Sequence, residues 1–148
     1  MSDEDVTRFG VEGQWSMVRR HRIRWAECDM YAHVNHAAYL TLFEDLRVAW
    51  WLERGGTFSA SAPGPVLGTL EVKYLRAAGF GEEVLLTARC ASFRRTSFVH
   101  EYALWRDGLM CQARALCVVI NNATGEKVPI PEAMRRVLVE RDGARAEG

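Results

Sequence analysis

The sequence predicts an α+β fold in which one long central helix is wrapped by an antiparallel sheet of about five strands. One stretch of helical periodicity, from about His36 to Arg54, is followed by four segments that are rich in β-forming residues. Short turns join those four segments, so they leave no room for the crossover helices that a parallel sheet requires. The strands are therefore antiparallel, and the helix lies on their face.

The helix prediction depends on six apolar residues that recur at i, i+3, i+4 and i+7 spacing and so share one face. They are Tyr39, Leu42, Phe43, Leu46, Ala49 and Trp50. Thr41, Asp45 and Glu53 lie on the opposite face, and Gly55-Gly56 ends the helix. One face is therefore expected to be buried against the sheet.

The strand prediction rests on alternation and on turn residues. A first strand lies within Trp15 to Trp25, and the four later segments are Val66 to Ala77, Glu83 to Phe93, Thr96 to Arg106 and Leu109 to Asn121. Asp107-Gly108 is a strong two-residue hairpin signal. A short second helix is predicted from Pro131 to about Glu140. Five strands around one long helix form the arrangement known as the hot-dog fold.

The chain of 148 residues is long enough for one domain with a substantial core, so we predict a single domain over residues 1–148. Residues 1–13 and 141–148 are charged or rich in glycine and are expected to be loose ends. The formal net charge is zero, which gives no field to attract nucleic acid or an anionic membrane. No apolar run is long enough to span a bilayer.

The N-terminus and the cysteines indicate the compartment. "MSDEDVTRFG" is acidic and has no apolar core, so it is not a signal peptide. The four cysteines contain no CxxC pair and read as free, mostly buried thiols, which suits a reducing environment. They are Cys28, Cys90, Cys111 and Cys117. We therefore expect a cytoplasmic protein.

The segment "AECDMYAHVNHAAYLTLFEDLR" places polar, titratable residues at the start of the long helix. Asn35 suits the N-cap, since its side chain can accept from the amide of Ala37 or Ala38. The amide of His36 then has no intrahelical partner and lies at the positive end of the helix, where it suits an oxyanion. The simpler alternative is that Asn35 only caps the helix and water satisfies His36.

Asp29 lies six residues before that cap. It is either a turn residue whose carboxylate accepts backbone N–H bonds, or a carboxylate that attacks an acyl carbon or deprotonates water. An acid beside a free helix amide makes half of an acyl-transfer site, so we favour the catalytic interpretation. A metal site at Asp29, His33 and His36 is not expected, because the D-x3-H-x2-H spacing matches no known metal motif. His33 is more simply an anchor for the loop.

Five further side chains have structural interpretations. Cys28 lacks a catalytic His and Asn set and is expected to point into the core. His21 and His100 are isolated within strands and are expected to be structural. Glu44 and Arg47 form an i, i+3 pair that is most simply solvated.

These residues resemble the acyl-CoA thioesterases of the 4-hydroxybenzoyl-CoA thioesterase type within the hot-dog superfamily. That family's motif, D-x-x-G-H-V-N-x-x-x-Y, runs into the long helix. The matching residues are Asp29, His33, Val34, Asn35 and Tyr39. The later segments "VLGTLEVKYLRAAGFGEEV" and "RRTSFVHEYALWRDG" extend the resemblance over most of residues 15–122.

The resemblance implies hydrolysis of an acyl-CoA or acyl-carrier-protein thioester to a carboxylic acid and a free thiol, with no cofactor. By resemblance Asp29 is the catalytic carboxylate and the His36 amide is the oxyanion donor, supported by Asn35. The resemblance also implies a homodimer with active sites at the subunit interface, or a homotetramer built from two dimers. His33 and Tyr39 of the motif are candidate substrate-binding residues.

Arg94 and Arg95 are also candidate substrate-binding residues. They are adjacent in the turn "FRRTS", and arginine makes bidentate contacts with phosphates such as those of CoA. The alternative is a solvated turn that protects a strand edge.

One departure from the motif and two rival functions remain. The family's glycine is Ala32 here, so a left-handed turn at that position would be strained. Hot-dog dehydratases and hydratases share the fold, but their catalytic segments contain a proline that "DMYAHVNH" lacks. A non-catalytic acyl-thioester binding protein is the rival from another class, and such a protein has no need of Asp29.

Overall fold

The computed structural model describes all 148 residues, which form an antiparallel sheet wrapped around one long helix. The elements are α1 (Asp3–Phe9), β1 (Met17–Arg22), α2 (His36–Glu53), β2 (Pro63–Tyr74), β3 (Glu83–Phe93), β4 (Ser97–Trp105), β5 (Leu109–Asn121), α3 (Glu132–Val137) and β6 (Arg145–Ala146). The strand order is β1-β3-β4-β5-β2, and β6 pairs in parallel with the end of β3. No helix combines the length and the apolar character that crossing a bilayer requires.

The predicted α+β class and the central helix are confirmed. The bounds of β3 and β5 coincide with those predicted, and β1 is shorter than the predicted segment. The β4–β5 hairpin turns at Asp107 and Gly108, whose φ angles of 51° and 104° lie in the left-handed region that such turns use.

The core lies between α2 and the concave face of the sheet. Phe43 of the helix stacks on Tyr102 of β4, with ring centroids 5.2 Å apart. Burial raises the pKa of the Cys111 thiol to about 12 and that of Cys117 to about 11, so both stay protonated at neutral pH. Each fully buried large apolar side chain contributes roughly 1.5–3 kcal/mol to folding. This packing fixes α2, and with it the start of the helix.

The N-terminal residues differ from the expectation of a loose end. Ser2 caps α1 by accepting from the amide of Asp5, and Gly10 ends the helix with a φ of 67°. Phe9 is only 2% exposed because α1 covers part of the outer sheet face, where Phe9 packs with Leu85 and Trp105. An apolar contact that is distant in sequence therefore orders this segment.

The C-terminal residues are also ordered. A π-helical turn, Leu138–Asp142, continues α3, and its Leu138 is fully buried in the core. The Asp142 side chain is completely buried as well, and β6 then pairs with Ser92 and Phe93 of β3. The expectation of a loose end from residue 141 onward is therefore not what the structure shows.

Candidate active site

The loop before α2 folds back on itself and brings Asp29 to the start of the helix. Cys28 pairs with Val34 in an antiparallel bridge, and the Asp29 amide donates to the His33 carbonyl at 2.8 Å. The Asn35 amide donates to the Glu27 carbonyl, also at 2.8 Å. The loop is thus a closed hairpin whose last residue is the helix cap.

The two carboxylate oxygens of Asp29 have different surroundings. Oδ1 accepts from the amides of Tyr31 at 2.8 Å and His33 at 3.3 Å, whereas Oδ2 accepts no hydrogen bond within the chain. The loop amides therefore hold the carboxylate by one oxygen and leave the other free to react. The turn role and the catalytic role predicted for Asp29 are compatible in this geometry.

Asn35 caps α2 as predicted. Its Oδ1 accepts from the amide of Ala37 at 2.9 Å, and its carbonyl accepts from the amide of Ala38 at the same distance. No cap or loop hydrogen bond takes the amide of His36. That N–H lies at the positive end of an 18-residue helix, where negative charge is stabilised.

Ala32 adopts the left-handed conformation that the family's glycine would adopt, with a φ of 60°. Its carbonyl accepts from the amide of Phe80 at 2.8 Å, and the neighbouring His33 bridges to Gly79. The loop therefore follows the path expected for the motif, and the alanine is accommodated at a strain of about 1–2 kcal/mol.

Glu27 holds the start of the loop through its buried side chain, a role that the sequence pattern did not reveal. Its buried carboxylate lies 2.8 Å from Nε2 of His21 and accepts from the amide of Arg24 at 2.8 Å. Burial by itself raises the pKa of Glu27, but the Arg24 amide and the His21 ring outweigh it and hold the pKa below its usual value. His21 is thus structural, as predicted. In the sequence, the contact between Arg24 and Glu27 is indicated only by their i, i+3 spacing.

The other motif residues have distinct placements. The His33 side chain is exposed beside Asp29 and makes no hydrogen bond within the chain. Tyr39 is only 3% exposed, and its hydroxyl accepts from the amide of Ala78 at 3.2 Å. Within one chain Tyr39 therefore holds the connection between β2 and β3, and its role in substrate binding stays a prediction.

Arg94 and Arg95 are exposed in the turn after β3, as predicted, but they lie far from Asp29. The loop that carries Asp29 (Cys28 to Val34), here called the Asp29 loop, contacts the chain just before Glu83, where β3 begins, whereas the arginines follow the end of β3 at Phe93. With 11 residues at about 3.3 Å each, β3 separates the two sites by roughly 35 Å. One chain does not bring these arginines to Asp29.

Large apolar side chains surround the site, and sequence periodicity did not reveal them as a group. Trp25, Met30, Tyr31 and Phe80 are all exposed, and the rings of Trp25 and Phe80 meet edge to face at 5.4 Å. No group of three or more His, Cys, Asp or Glu side chains is arranged to hold a metal ion. The site thus presents one carboxylate with an unbonded oxygen, one free helix amide and an apolar rim.

Comparisons with known proteins identify the family. The sequence profile described as the thioesterase-like superfamily matches residues 23–138. The structure of a thioesterase-superfamily protein from Jannaschia sp. CCS1 is 32% identical, covers 99% of this chain and 96% of its own, and superposes with a TM-score of 0.88. The chain therefore belongs to the thioesterase-like superfamily. No curated protein matches its sequence significantly.

Two further structures extend the comparison. A thioesterase from Thermus thermophilus, solved with coenzyme A and Zn, is 26% identical, covers 87% of this chain and 96% of its own, and has a TM-score of 0.73. A 1,4-dihydroxy-2-naphthoyl-CoA thioesterase from Synechocystis is 15% identical, covers 84% and 96%, and has a TM-score of 0.74. At that identity the second likeness concerns the fold alone. The hot-dog fold is confirmed, whereas the 4-hydroxybenzoyl-CoA type stays a prediction.

Proposed function

We propose that this protein is a cytoplasmic, single-domain acyl-CoA thioesterase of the 4-hydroxybenzoyl-CoA thioesterase type. Asp29 acts as the catalytic carboxylate, and the amide of His36 binds the oxyanion. The observation that carries the proposal is the split environment of Asp29, whose Oδ1 is held by loop amides while Oδ2 accepts no hydrogen bond within the chain. Coenzyme A in the Thermus thermophilus thioesterase supports CoA as the thiol, with acyl carrier protein as the alternative carrier.

Two routes use this geometry. In the first, Asp29 attacks the thioester carbon, the C–S bond breaks, the thiolate takes a proton from water, and water then hydrolyses the mixed anhydride. In the second, Asp29 takes a proton from water, whose oxygen bonds to the thioester carbon. The C–S bond then breaks and the proton passes to the sulfur. In both routes the N–H of His36 stabilises the tetrahedral oxyanion, and neither route requires a cofactor.

The free edge of the sheet supports a homodimer. β2 is an edge strand of 12 residues that pairs only with β5, and its Val66 and Leu67 are exposed. An open edge with apolar side chains favours pairing with another strand. We propose pairing of β2 with the β2 strand of a second copy, alone or in a homotetramer. Light scattering during size-exclusion chromatography measures the molar mass of the assembly and so distinguishes a monomer from a dimer or a tetramer.

The test is turnover of a panel of acyl-CoAs, followed by a thiol reagent, with wild type, Asp29→Asn and Asp45→Asn. Asp29→Asn is nearly isosteric but is neither a base nor a comparable nucleophile, so kcat should fall by about 100-fold or more. Asp45 is an exposed acid on α2, and its variant should match wild type. Near wild-type kcat in a folded Asp29→Asn variant would show that Asp29 is only a turn residue.

The same panel tests the rival functions. If none of the acyl-CoAs in the panel releases free thiol, the result favours a non-catalytic acyl-thioester binding protein. Loss or gain of water across a carbon–carbon double bond, with the thioester intact, would favour a dehydratase or hydratase.

A further inference from the structure

Tyr74, at the end of β2, contacts the first turn of the helix that carries the proposed oxyanion donor. Its hydroxyl donates to the carbonyl of His36 at 2.9 Å, although the two residues are 38 positions apart. Tyr74 lies in the segment "VLGTLEVKYLRAAGFGEEV" that extends the family resemblance, but it is not among the predicted site residues, and the reaction steps do not use it. It is half exposed, so the hydrogen bond lies at the edge of the site.

This contact holds the carbonyl of the peptide unit between His36 and Ala37, whose amide is already held by the helix cap. The His36 carbonyl and the Ala37 amide belong to the same planar unit. Asn35 Oδ1 accepts from that amide at 2.9 Å, and the Tyr74 hydroxyl donates to that carbonyl. The unit is therefore held at both ends, and the Cα atom of His36 is held with it.

The free N–H of His36 lies in the preceding peptide plane. Its partner in that plane, the carbonyl of Asn35, accepts from the amide of Ala38 at 2.9 Å. Because the N–H and C=O of one peptide unit point in opposite directions, the Ala38 bond aims the His36 N–H out of the helix. The Tyr74 bond is a second hydrogen bond to the His36 carbonyl, which also belongs to the helix's own i to i+4 ladder. It holds the Cα atom that joins the two planes, so its loss loosens the first turn.

The Tyr74 ring is itself held in place. It meets the ring of Tyr39 edge to face, with centroids 5.3 Å apart. Tyr39 in turn accepts from the amide of Ala78, and the Ala78 carbonyl accepts from the amide of Val34 at 2.8 Å. The two tyrosines thus connect the end of β2, the Asp29 loop and the first turn of α2.

We propose that Tyr74 is a positioning residue that holds the His36 amide in line with the oxyanion. This role rests on the proposed thioesterase function. Tyr74→Phe keeps the ring contact with Tyr39 and removes only the hydrogen bond to His36. A small displacement of a catalytic group costs much of its effect, so we expect kcat to fall by about tenfold while KM stays within about twofold.

Two measurements test this, and one of them does not depend on activity. The first is kcat and KM for the best acyl-CoA of the panel. The second is amide hydrogen exchange at Ala37 and Ala38, read by NMR, which should be faster in Tyr74→Phe. Tyr102→Phe is the matched control, because it removes a buried hydroxyl that bonds Arg47 and His100. It should lower overall stability and leave kcat and the relative protection of the first turn unchanged.

The outcomes separate the positioning role from the proposed function. Faster first-turn exchange with a lower kcat supports the role of Tyr74. Unchanged exchange overturns it, and so does a rise in KM alone, which would mean direct substrate contact. If wild type hydrolyses no acyl-CoA, the thioesterase proposal fails, while the exchange measurement still decides whether Tyr74 holds the helix start.

Discussion

Asp142 accepts a 2.6 Å hydrogen bond from Nε of Arg54, and both side chains are completely buried. The other carboxylate oxygen of Asp142 accepts from Trp50 Nε1 at 2.9 Å, the Cys90 amide at 2.7 Å and the Ser16 hydroxyl at 2.8 Å. One carboxylate therefore joins the C-terminal turn to the end of α2, to β3 and to the segment before β1. It anchors the end of the molecule opposite the Asp29 loop.

We predict that Asp142→Asn destabilises the fold by about 3–5 kcal/mol, because a buried arginine then has no charged partner in the interior. Neither Nη atom of Arg54 makes a hydrogen bond, and the nearest other carboxylate, that of Glu53, is half exposed at 3.5 Å. Urea unfolding measures the change. Glu140→Gln, an exposed acid in the same turn, is the control and should alter stability by less than about 0.5 kcal/mol. Equal effects of the two substitutions would contradict the role of Asp142 as an anchor.

We predict that His100 makes the fold less stable in mild acid. Burial lowers the pKa of His100 well below 6.5, and the charges of Arg47 and Arg54 lower it further. The unfolded chain binds this proton once the pH falls below about 6.5, but the folded chain does not. The unfolded state then holds more protons, so stability decreases with falling pH by up to about 1.4 kcal/mol per unit for this one group.

Comparison of wild type with His100→Gln isolates this effect from that of the carboxylates. Urea unfolding at pH 7.5 and pH 5.5 gives the free energy of unfolding of each protein. The difference in free energy of unfolding between wild type and His100→Gln should be smaller at pH 5.5 than at pH 7.5, because only wild type loses the contribution of His100. Parallel pH dependences would show that His100 does not stay neutral in the folded state.

Local patterns were sufficient to predict the sheet, the long helix and the residue that caps the helix. Alternation and turn residues gave the bounds of β3 and β5, and cap chemistry placed Asn35 at the start of α2. The backbone bonds that Asp29 accepts were also expected from local sequence, since the loop that holds its Oδ1 spans only five residues. Each of these features depends on residues that are near one another in sequence.

The features that were not predicted depend on contacts between distant residues. The order of α1 depends on burial of Phe9, whose carbonyl accepts from the Gly108 amide at 3.0 Å. Arg47 pairs with Glu44 at 3.8 Å as expected, but its side chain is only 13% exposed because it also donates to the Tyr102 hydroxyl at 2.9 Å. Tyr74 reaches His36 only because β2 ends beside the start of α2.

We predict that the double substitution Arg94→Ala and Arg95→Ala raises KM for acyl-CoA and leaves kcat nearly unchanged, the pattern for loss of uniform binding. In a twofold dimer that pairs the two β2 edges, the two strands run antiparallel. The end of one sheet that carries Arg94 and Arg95 then lies beside the end of the other sheet that carries Asp29. That arrangement brings the arginine turn of the partner subunit toward the phosphates of CoA. Higher salt should raise KM of wild type in the same direction.

A short acyl thioester without the nucleotide is the control, and both proteins should hydrolyse it equally. An unchanged KM for acyl-CoA at low salt would place the phosphate site elsewhere, with Lys73, Arg76 and Arg114 as the next candidates.

The final prediction concerns Ala32, the left-handed residue of the Asp29 loop. Ala32→Gly removes a strain of about 1–2 kcal/mol at a φ of 60°. Glycine also adds about 0.4–1 kcal/mol of conformational freedom to the unfolded chain. The difference is a net stabilisation of about 0.8 kcal/mol, within a range of about 0–1.6 kcal/mol, measured by urea unfolding. Ala133→Gly, at an exposed position of α3, is the matched control and should destabilise the protein by about 1 kcal/mol.

Turnover of the same Ala32→Gly variant shows whether the strain serves the reaction. The Ala32 backbone donates to the Asp29 carbonyl at 3.1 Å and accepts from the amide of Phe80 at 2.8 Å, and neither bond involves the Cβ atom. The loop should therefore keep Asp29 in place, with kcat within about threefold of wild type. A variant that gains stability but loses most of its kcat would show that the rigidity of alanine aims the carboxylate. Loss of stability would show that residue 32 leaves the left-handed region in solution.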